Sequence, residues 1–280
     1  MSIRKPAVAG RFYPDNREET IKIIDELIKK ERLKFRKELY GREVIGGIVP
    51  HAGYIYSGGI AAHFFELLKY SKHNYDTAVI VAPNHTGFGA EIGCDSSQFW
   101  ETPIGNVEVD REFLEETGIE FSEMANKYEH SAEVMVPLLK YFLDYDIKIA
   151  PIVIKNQTLK NSIQVAASII RASKILGRRI ILIASSDFSH YVDPLYGERV
   201  DSEAVEKILK KDSSAFIKKI QEKDISICGY GPIMTLIEYS KLLEVNSEFE
   251  ILRKGSSGEV LPSNEVVDYF TIALLKSENK

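Results

Sequence analysis

The sequence predicts a single α/β domain over residues 1–280, with a mostly parallel central sheet and helices on both of its faces. Three observations carry that expectation. Short Val/Ile-rich runs alternate with longer segments of helical periodicity along most of the chain. Three of the apolar runs give way abruptly to polar loops, as strands do at the carboxyl edge of a parallel sheet. No long linker, low-complexity tract or repeat period divides the chain.

The first regular element is predicted as a helix from Asn16 to about Tyr40. Asn16 with Glu19 spells a capping box, Ile21, Ile24, Leu27 and Ile28 recur at helical spacing, and Gly41 suits the stop. Then "EVIGGIV" reads as a strand, "SGGIAAHFFELLKY" as a helix and "TAVIVA" as a second strand. The stretch "FWETPIGNVEVD" looks like a hairpin. A helix follows in "SAEVMVPLLKYFL", with Ser131 as its cap, then the strand "IKIAPIVI", the helix "LKNSIQVAASIIRASKIL" and the strand "RRIILIAS". Beyond "SSDFSHY" come the helical "GERVDSEAVEKILKK" and "SSAFIKKIQEK", and "CGYGPIMTLIEYSKLL", where the Gly231-Pro232 step fits a helix start. The segments "FEILRKGSSG" and "EVVDYFTIALL" read as two closing strands around a Gly/Ser turn.

Composition narrows the function classes. With 36 Lys and Arg against 41 Asp and Glu the net charge is only −5, so no field of one sign argues for a nucleic acid or an anionic membrane. The basic run "KKERLKFRK" reads as a solvated helix face. No apolar run approaches the roughly 18 residues of a membrane span, and "MSIRKPAVAGRFYP" lacks the apolar core of a signal peptide, so a cytoplasmic protein is expected. Two cysteines cannot form a disulfide framework of the small secreted kind. Cys94, in "EIGCDSS", reads as structural.

Unusual chemistry stands at three strand ends. After "GGIV" comes Pro50-His51-Ala52-Gly53, after "VIVA" comes Pro83-Asn84-His85-Thr86-Gly87, and after "IILIAS" comes Ser186-Asp187-Phe188-Ser189-His190-Tyr191. The prolines fix φ and hold the preceding residue extended, and the glycines let the chain turn away at once. A lone histidine after a strand is usually a hydrogen-bonded loop residue, and His63 and His73 are read that way. Three strand ends with the same feature point instead to imidazoles that share one site. Cys228, in "SICGYGP", precedes a predicted helix whose N-terminus favours the thiolate, the form that binds metal. Glu129 and His130, at the head of the helix in "YEHSAEVMVPLL", are candidates for a ligand or acid/base role.

Two neutral imidazoles and one thiolate give a three-ligand site with open positions, the layout of a catalytic metal. Zinc, iron(II) and copper all accept these donors, for hydrolysis, oxygen activation and electron transfer respectively. Asp187 would then orient an imidazole and His190 would move protons. A Ser/His/Asp hydrolase built on "SSDFSH" ranks low, because Ser186 lacks the G-x-S-x-G elbow that exposes a nucleophile.

In order, "RKPAVAGRFYP", "VPHAGYIYSGG", "APNHTG", "TPIGNVEVD", "EHSAEVMVPLL", "SSDFSHY" and "CGYGP" make the sequence similar to the Memo family, also called AmmeMemoRadiSam system protein B in prokaryotes. The resemblance covers nearly the whole chain. It implies a fold like the catalytic subunit of class III extradiol dioxygenases, with His51, His85 and Cys228 on the metal-binding positions. His190 would fall near the dioxygenases' acid/base histidine with Asp187 beside it, and His130 also matches a motif position. The cysteine stands where those enzymes have a carboxylate, which shifts the expected metal from iron(II) toward copper or zinc and argues against simple ring cleavage.

The function expected is therefore a Memo-type metal-dependent oxidoreductase, non-heme iron or copper, acting on a small molecule. A non-catalytic accessory protein that captures a peptide or anionic ligand in the same cleft is the alternative, and zinc hydrolysis the third reading. The family name further implies an AMMECR-type protein and a radical SAM enzyme as partners.

Overall fold

Strand and helix alternate from the start of the chain in the computed structural model, which describes residues 2–278. A short strand β1 (Ile3–Arg4) leads to α1 (Arg17–Glu31), β2 (Val44–Val49), α2 (Gly59–Lys69) and β3 (Thr77–Pro83). A stretch of small elements follows: β4 (Ile92–Cys94), β5 (Phe99–Trp100), β6 (Val107–Glu108), α3 (Arg111–Thr117), α4 (Glu123–Lys127) and α5 (Met135–Phe142). Then come β7 (Lys148–Ile154), α6 (Leu159–Leu176), β8 (Ile180–Ser185), β9 (His190–Val192), α7 (Pro194–Leu209), α8 (Ser213–Lys223), α9 (Tyr230–Leu242), β10 (Ser247–Ser256) and β11 (Val266–Lys276).

The main sheet runs β10-β11-β2-β8-β3-β7-β4, with β9 paired to β11. Its centre, β2-β8-β3-β7, is parallel, whereas β4, β9, β10 and β11 all pair antiparallel. The sheet is therefore mixed, and the expectation of a mostly parallel one is corrected. For β10 and β11 the reason is local, since a connection too short for a crossover forces antiparallel pairing, whereas β11 meets β2, and β4 meets β7, across long stretches of chain. The four central strands do behave as a parallel core should. Val44–Val49, Thr77–Pro83 and Ile180–Ser185 are buried at every residue, which explains their unbroken apolar character.

Two adjacent glycines of β2 explain how helices close on both faces. Neighbouring strand residues point to opposite sides. A Cβ on Gly47 would lie 2.4 Å from the Phe64 ring of α2, and one on Gly46 would lie 2.8 Å from Leu236 of α9 and 2.4 Å from the Leu182 carbonyl. The strand carries no side chains there because helix or neighbouring backbone already fills the space. One contiguous hydrophobic cluster runs from Val8 to Leu275 through both layers.

Other expectations fare unevenly. Asn16 caps α1 as predicted, its Oδ1 accepting the Glu19 amide at 3.0 Å while Glu19 accepts from its Nδ2 at 2.8 Å. The helix ends at Glu31, however, rather than at Tyr40. Leu33 is 90% exposed and Phe35 turns back to pack on His63, so the apolar residues past Glu31 no longer lie on one helical stripe. The hairpin is present as β5 and β6, and the two closing strands as β10 and β11. Ser131 does not cap α5, which starts four residues later at Met135. Its hydroxyl donates instead to the Pro83 carbonyl at 2.7 Å, tying this segment to the end of β3. Among the described residues no helix is long and apolar enough to cross a membrane.

Candidate metal centre

Strands β2, β8 and β3 are neighbours and parallel, so their carboxyl ends meet at one edge of the sheet. His51 stands two residues past β2, His85 two past β3, and Asp187 two past β8. The loop before α9 brings Cys228 to the same place, and the segment before α5 brings Glu129 and His130. One donor atom each from His51, His85 and Cys228 lie within 4.8 Å of one another. The His51 Nε2 is 3.2 Å from the Cys228 Sγ. Metal–nitrogen and metal–sulfur bonds of about 2.0–2.3 Å place donors roughly 3–4 Å apart around one ion, so these residues fit a zinc, iron or copper ion.

The hydrogen bonds behind the imidazoles fix which nitrogen faces inward. Ser185, the last residue of β8, donates its hydroxyl to the Ser131 carbonyl at 2.6 Å, which leaves its oxygen to accept the His51 Nδ1–H at 2.6 Å. The His51 Nε2 therefore carries the lone pair that faces Cys228. His85 donates Nδ1–H to Glu129 Oε1 at 3.0 Å. His190 donates Nδ1–H to the Ser226 carbonyl at 2.8 Å. Three imidazoles thus present Nε2 as the free nitrogen, and a ring N–H anchored on a carboxylate, carbonyl or hydroxyl is how metal-binding histidines are held.

Glu129 is the anchor of the second arm. It is buried, and its carboxylate accepts the amides of His85 at 2.6 Å, His130 at 2.9 Å and Ser131 at 3.0 Å, besides the His85 ring. Burial would raise its pKa, but the hydrogen bonds from His130 and His85 outweigh burial and hold the carboxyl well below the usual range. The His130 ring lies 4.8 Å from that of His85 and 5.4 Å from that of His51, completing a cluster of three imidazoles.

Asp187 is placed differently from the sequence expectation. Its Oδ1 accepts the His51 backbone amide at 2.8 Å, so it fixes the loop, while the ring is oriented by Ser185. Burial raises the Asp187 pKa. Burial likewise lowers that of His51, helped by His130 and His85, and keeps that imidazole neutral. For Cys228 the expected effect of the helix N-terminus is overturned. Burial, and then the Asp187 charge, push the thiol well above its ordinary pKa. Its sulfur accepts the Asp187 amide at 3.2 Å, two residues short of α9, so a metal ion must displace the thiol proton on binding. One donor atom each from Asp187, His190 and Cys228 also lie within 4.8 Å of one another, so His190 and Asp187 border the same centre.

Sequence reasoning missed Ser185 and Ser226, whose roles appear only once β2, β8 and the loop before α9 are adjacent. The single available signal was that Ser185 ends an otherwise apolar strand. His63 and His73 lie elsewhere, paired with Glu31 at 3.1 Å and Glu43 at 3.9 Å. Cys94 is buried in β4 and takes no part. Above the cluster opens a cavity of about 570 Å³ lined by His51, His85, His130, Asp187 and His190. A larger cavity, about 840 Å³, opens at the opposite, amino-terminal edge of the sheet beside Asp76 and Arg179, and none of the predicted site residues reaches it.

The comparisons with known proteins agree with the motif order. A family profile described as "Memo-like protein" matches residues 4–273. A MEMO1 family protein of Methanococcoides burtonii is 39% identical, with 96% of this chain and 99% of that protein covered. Another from Pyrobaculum aerophilum is 42% identical, with 97% and 99% covered. Among solved structures an Escherichia coli K12 protein described as uncharacterized superposes with a TM-score of 0.47 at 12% identity, covering 76% of this chain and 91% of that one.

Proposed function

The chain belongs to the Memo family, and from that premise we propose that it is a cytoplasmic metal-dependent oxidoreductase whose centre is formed by His51, His85 and Cys228. The observation that carries the reading is the shared orientation of the imidazoles. His51 and His85 each donate Nδ1–H to a fixed acceptor, which leaves Nε2 free beside a thiol. A histidine that merely caps a loop has no need of that arrangement.

Iron(II) or copper, bound there, would supply one-electron chemistry, and a soft thiolate beside two imidazoles suits such ions. The chain's own residues do the rest. Ser185 and Glu129 hold the two rings against rotation. Asp187 fixes the loop that carries His51. His190, with Nδ1–H committed to the Ser226 carbonyl, has its Nε2 free to take or give a proton at a substrate in the cavity. The 570 Å³ space accommodates a small molecule. The partners implied by the family name, an AMMECR-type protein and a radical SAM enzyme, belong to the same proposal.

Metal content and electron paramagnetic resonance after anaerobic purification test it, on wild type beside His51→Ala and Cys228→Ser. Iron or copper in the wild type, lost in both variants without loss of fold, is the expected result. Zinc with esterase or amidase activity would favour hydrolysis, absence of metal would favour a ligand-capturing role, and full occupancy in both variants would remove the ligand assignment.

A further inference from the structure

The cavity carries a second kind of chemistry beside its imidazoles. Four aromatic residues line it, Phe12, Tyr56, Tyr191 and Tyr269, together with Glu265. None of its lining residues is a lysine or arginine. Away from the metal-binding residues, a phosphate or carboxylate would therefore meet no lysine or arginine among the lining residues, only two acidic side chains, Asp187 and Glu265.

Tyr191 is held in a conformation that packing does not explain. Its φ is +56°, in the left-handed region that bulky side chains seldom adopt, yet 74% of its surface is exposed. The cause is an irregularity in the pairing of β9 with β11. Val192 pairs with Val266 and His190 with Val267, so Tyr191 is the extra residue of a bulge, and Glu265 immediately precedes its partner strand's first residue. Bulges next to active sites re-aim side chains, and this one leaves an exposed tyrosine in the lining of the cavity that Glu265 also lines. Among the described residues Glu265 makes no salt bridge, and no lysine or arginine lies over the Tyr191 ring. An aromatic face and a carboxylate, neither neutralised from within, are the two groups that recognise an organic ammonium ion.

We propose that this cavity takes a small amine-bearing molecule, its ammonium group held between the Tyr191 ring and the Glu265 carboxylate while its other end reaches toward the imidazoles. The proposal deepens the preceding one and rests on its reading of the cavity as a substrate site.

Calorimetric titration of the metal-free full-length chain, in which no bound ion can ligate the anions directly, tests it with three probes: phenethylamine, phenylacetate and phenyl phosphate. Phenethylamine is expected to bind about tenfold more tightly than either anion. Glu265→Gln should erase that preference, Tyr191→Ala should weaken amine binding by a similar factor, and Tyr191→Phe should retain it. Both positions are exposed, so these variants keep the fold. Anion binding as tight as amine binding, no amine binding, or an amine preference unchanged in Glu265→Gln would overturn the proposal. A chain purified without iron or copper that still prefers the amine would refute the redox reading alone. A metal-bearing chain without the preference would refute this proposal alone.

Discussion

His51 Nε2 lies 3.2 Å from Cys228 Sγ although the two residues are 177 positions apart in the chain. Only the fold brings them together, because His51 leaves the sheet at the end of β2 while Cys228 sits in the loop that enters α9. The contact joins a neutral imidazole to a protonated thiol, each kept uncharged by burial. Such a pair is stable without metal and can give up one proton to receive a metal ion.

Removing the groups behind the imidazoles should weaken metal binding without touching a ligand. Ser185→Ala takes the acceptor from His51 Nδ1 and the donor from the Ser131 carbonyl, both buried, and should cost about 1–3 kcal/mol of stability. Glu129→Gln removes the charge that His85 leans on. Each should lower metal affinity about 10–100-fold, measured by competition with a chromogenic chelator. Unchanged affinity in both would show that the rings need no such support.

Gly46→Ala and Gly47→Ala should both destabilise the protein by about 1–3 kcal/mol in chemical denaturation, through overpacking. They should differ in rescue. The nearest atoms to a Gly47 Cβ belong to the Phe64 ring, with the Ile272 carbonyl next at 2.8 Å, so adding Phe64→Leu should recover part but not all of the loss. The Gly46 neighbour is the Leu182 carbonyl, and no side-chain change moves a backbone oxygen of the central sheet. Equal rescue of both would contradict the two-faced packing.

A pH effect should arise from two buried aspartates behind the "SSDFSHY" loop. Asp201 accepts the Ser189 hydroxyl at 2.7 Å and its amide at 3.2 Å, and Asp268 donates its amide to the Ser189 carbonyl at 2.9 Å. Burial pushes Asp201 up to about 7 and Asp268 up to about 6. Raised folded-state values mean that the folded protein holds protons the unfolded chain has lost. Their contribution is full below the unfolded pKa near 4 and disappears as pH rises through about 6–7. Wild-type Tm should therefore fall relative to Asp201→Asn between pH 4 and 7. A difference that stays constant over that interval would show that Asp201 ionises normally.

The two thiols should behave differently toward an alkylating reagent. Cys94 is buried, its pKa pushed up to about 12 by burial, with its sulfur against the Ile119 and Glu120 carbonyls. It should stay unlabelled in the native state. Cys228, half-buried against the His51 ring, should label slowly without metal and stop labelling when metal is added. Mass spectrometry of the labelled peptides would read this, and protection of Cys94 rather than Cys228 by metal would contradict the assignment.

Much of this protein is legible in one dimension. The runs "VIGGIV", "TAVIVAP" and "IILIAS" declare strands buried on both faces, since near-continuous apolar runs are what such covered strands carry. The order of the motifs declares the family, and the histidines declare themselves by standing where a buried strand ends. Tertiary structure alone decided the rest. Whether the closing strands run parallel or antiparallel to β2 depends on pairing between distant segments, and that pairing makes the sheet mixed. The state of Cys228 depends on how deeply the fold covers it, and burial there outweighs the helix terminus that its sequence context suggests. Which nitrogen of each histidine faces inward depends on Ser185, Glu129 and Ser226. Those side chains become neighbours of the rings only when strands far apart in sequence lie side by side, since hydrogen bonds act over about 3 Å and sequence position carries no such distance.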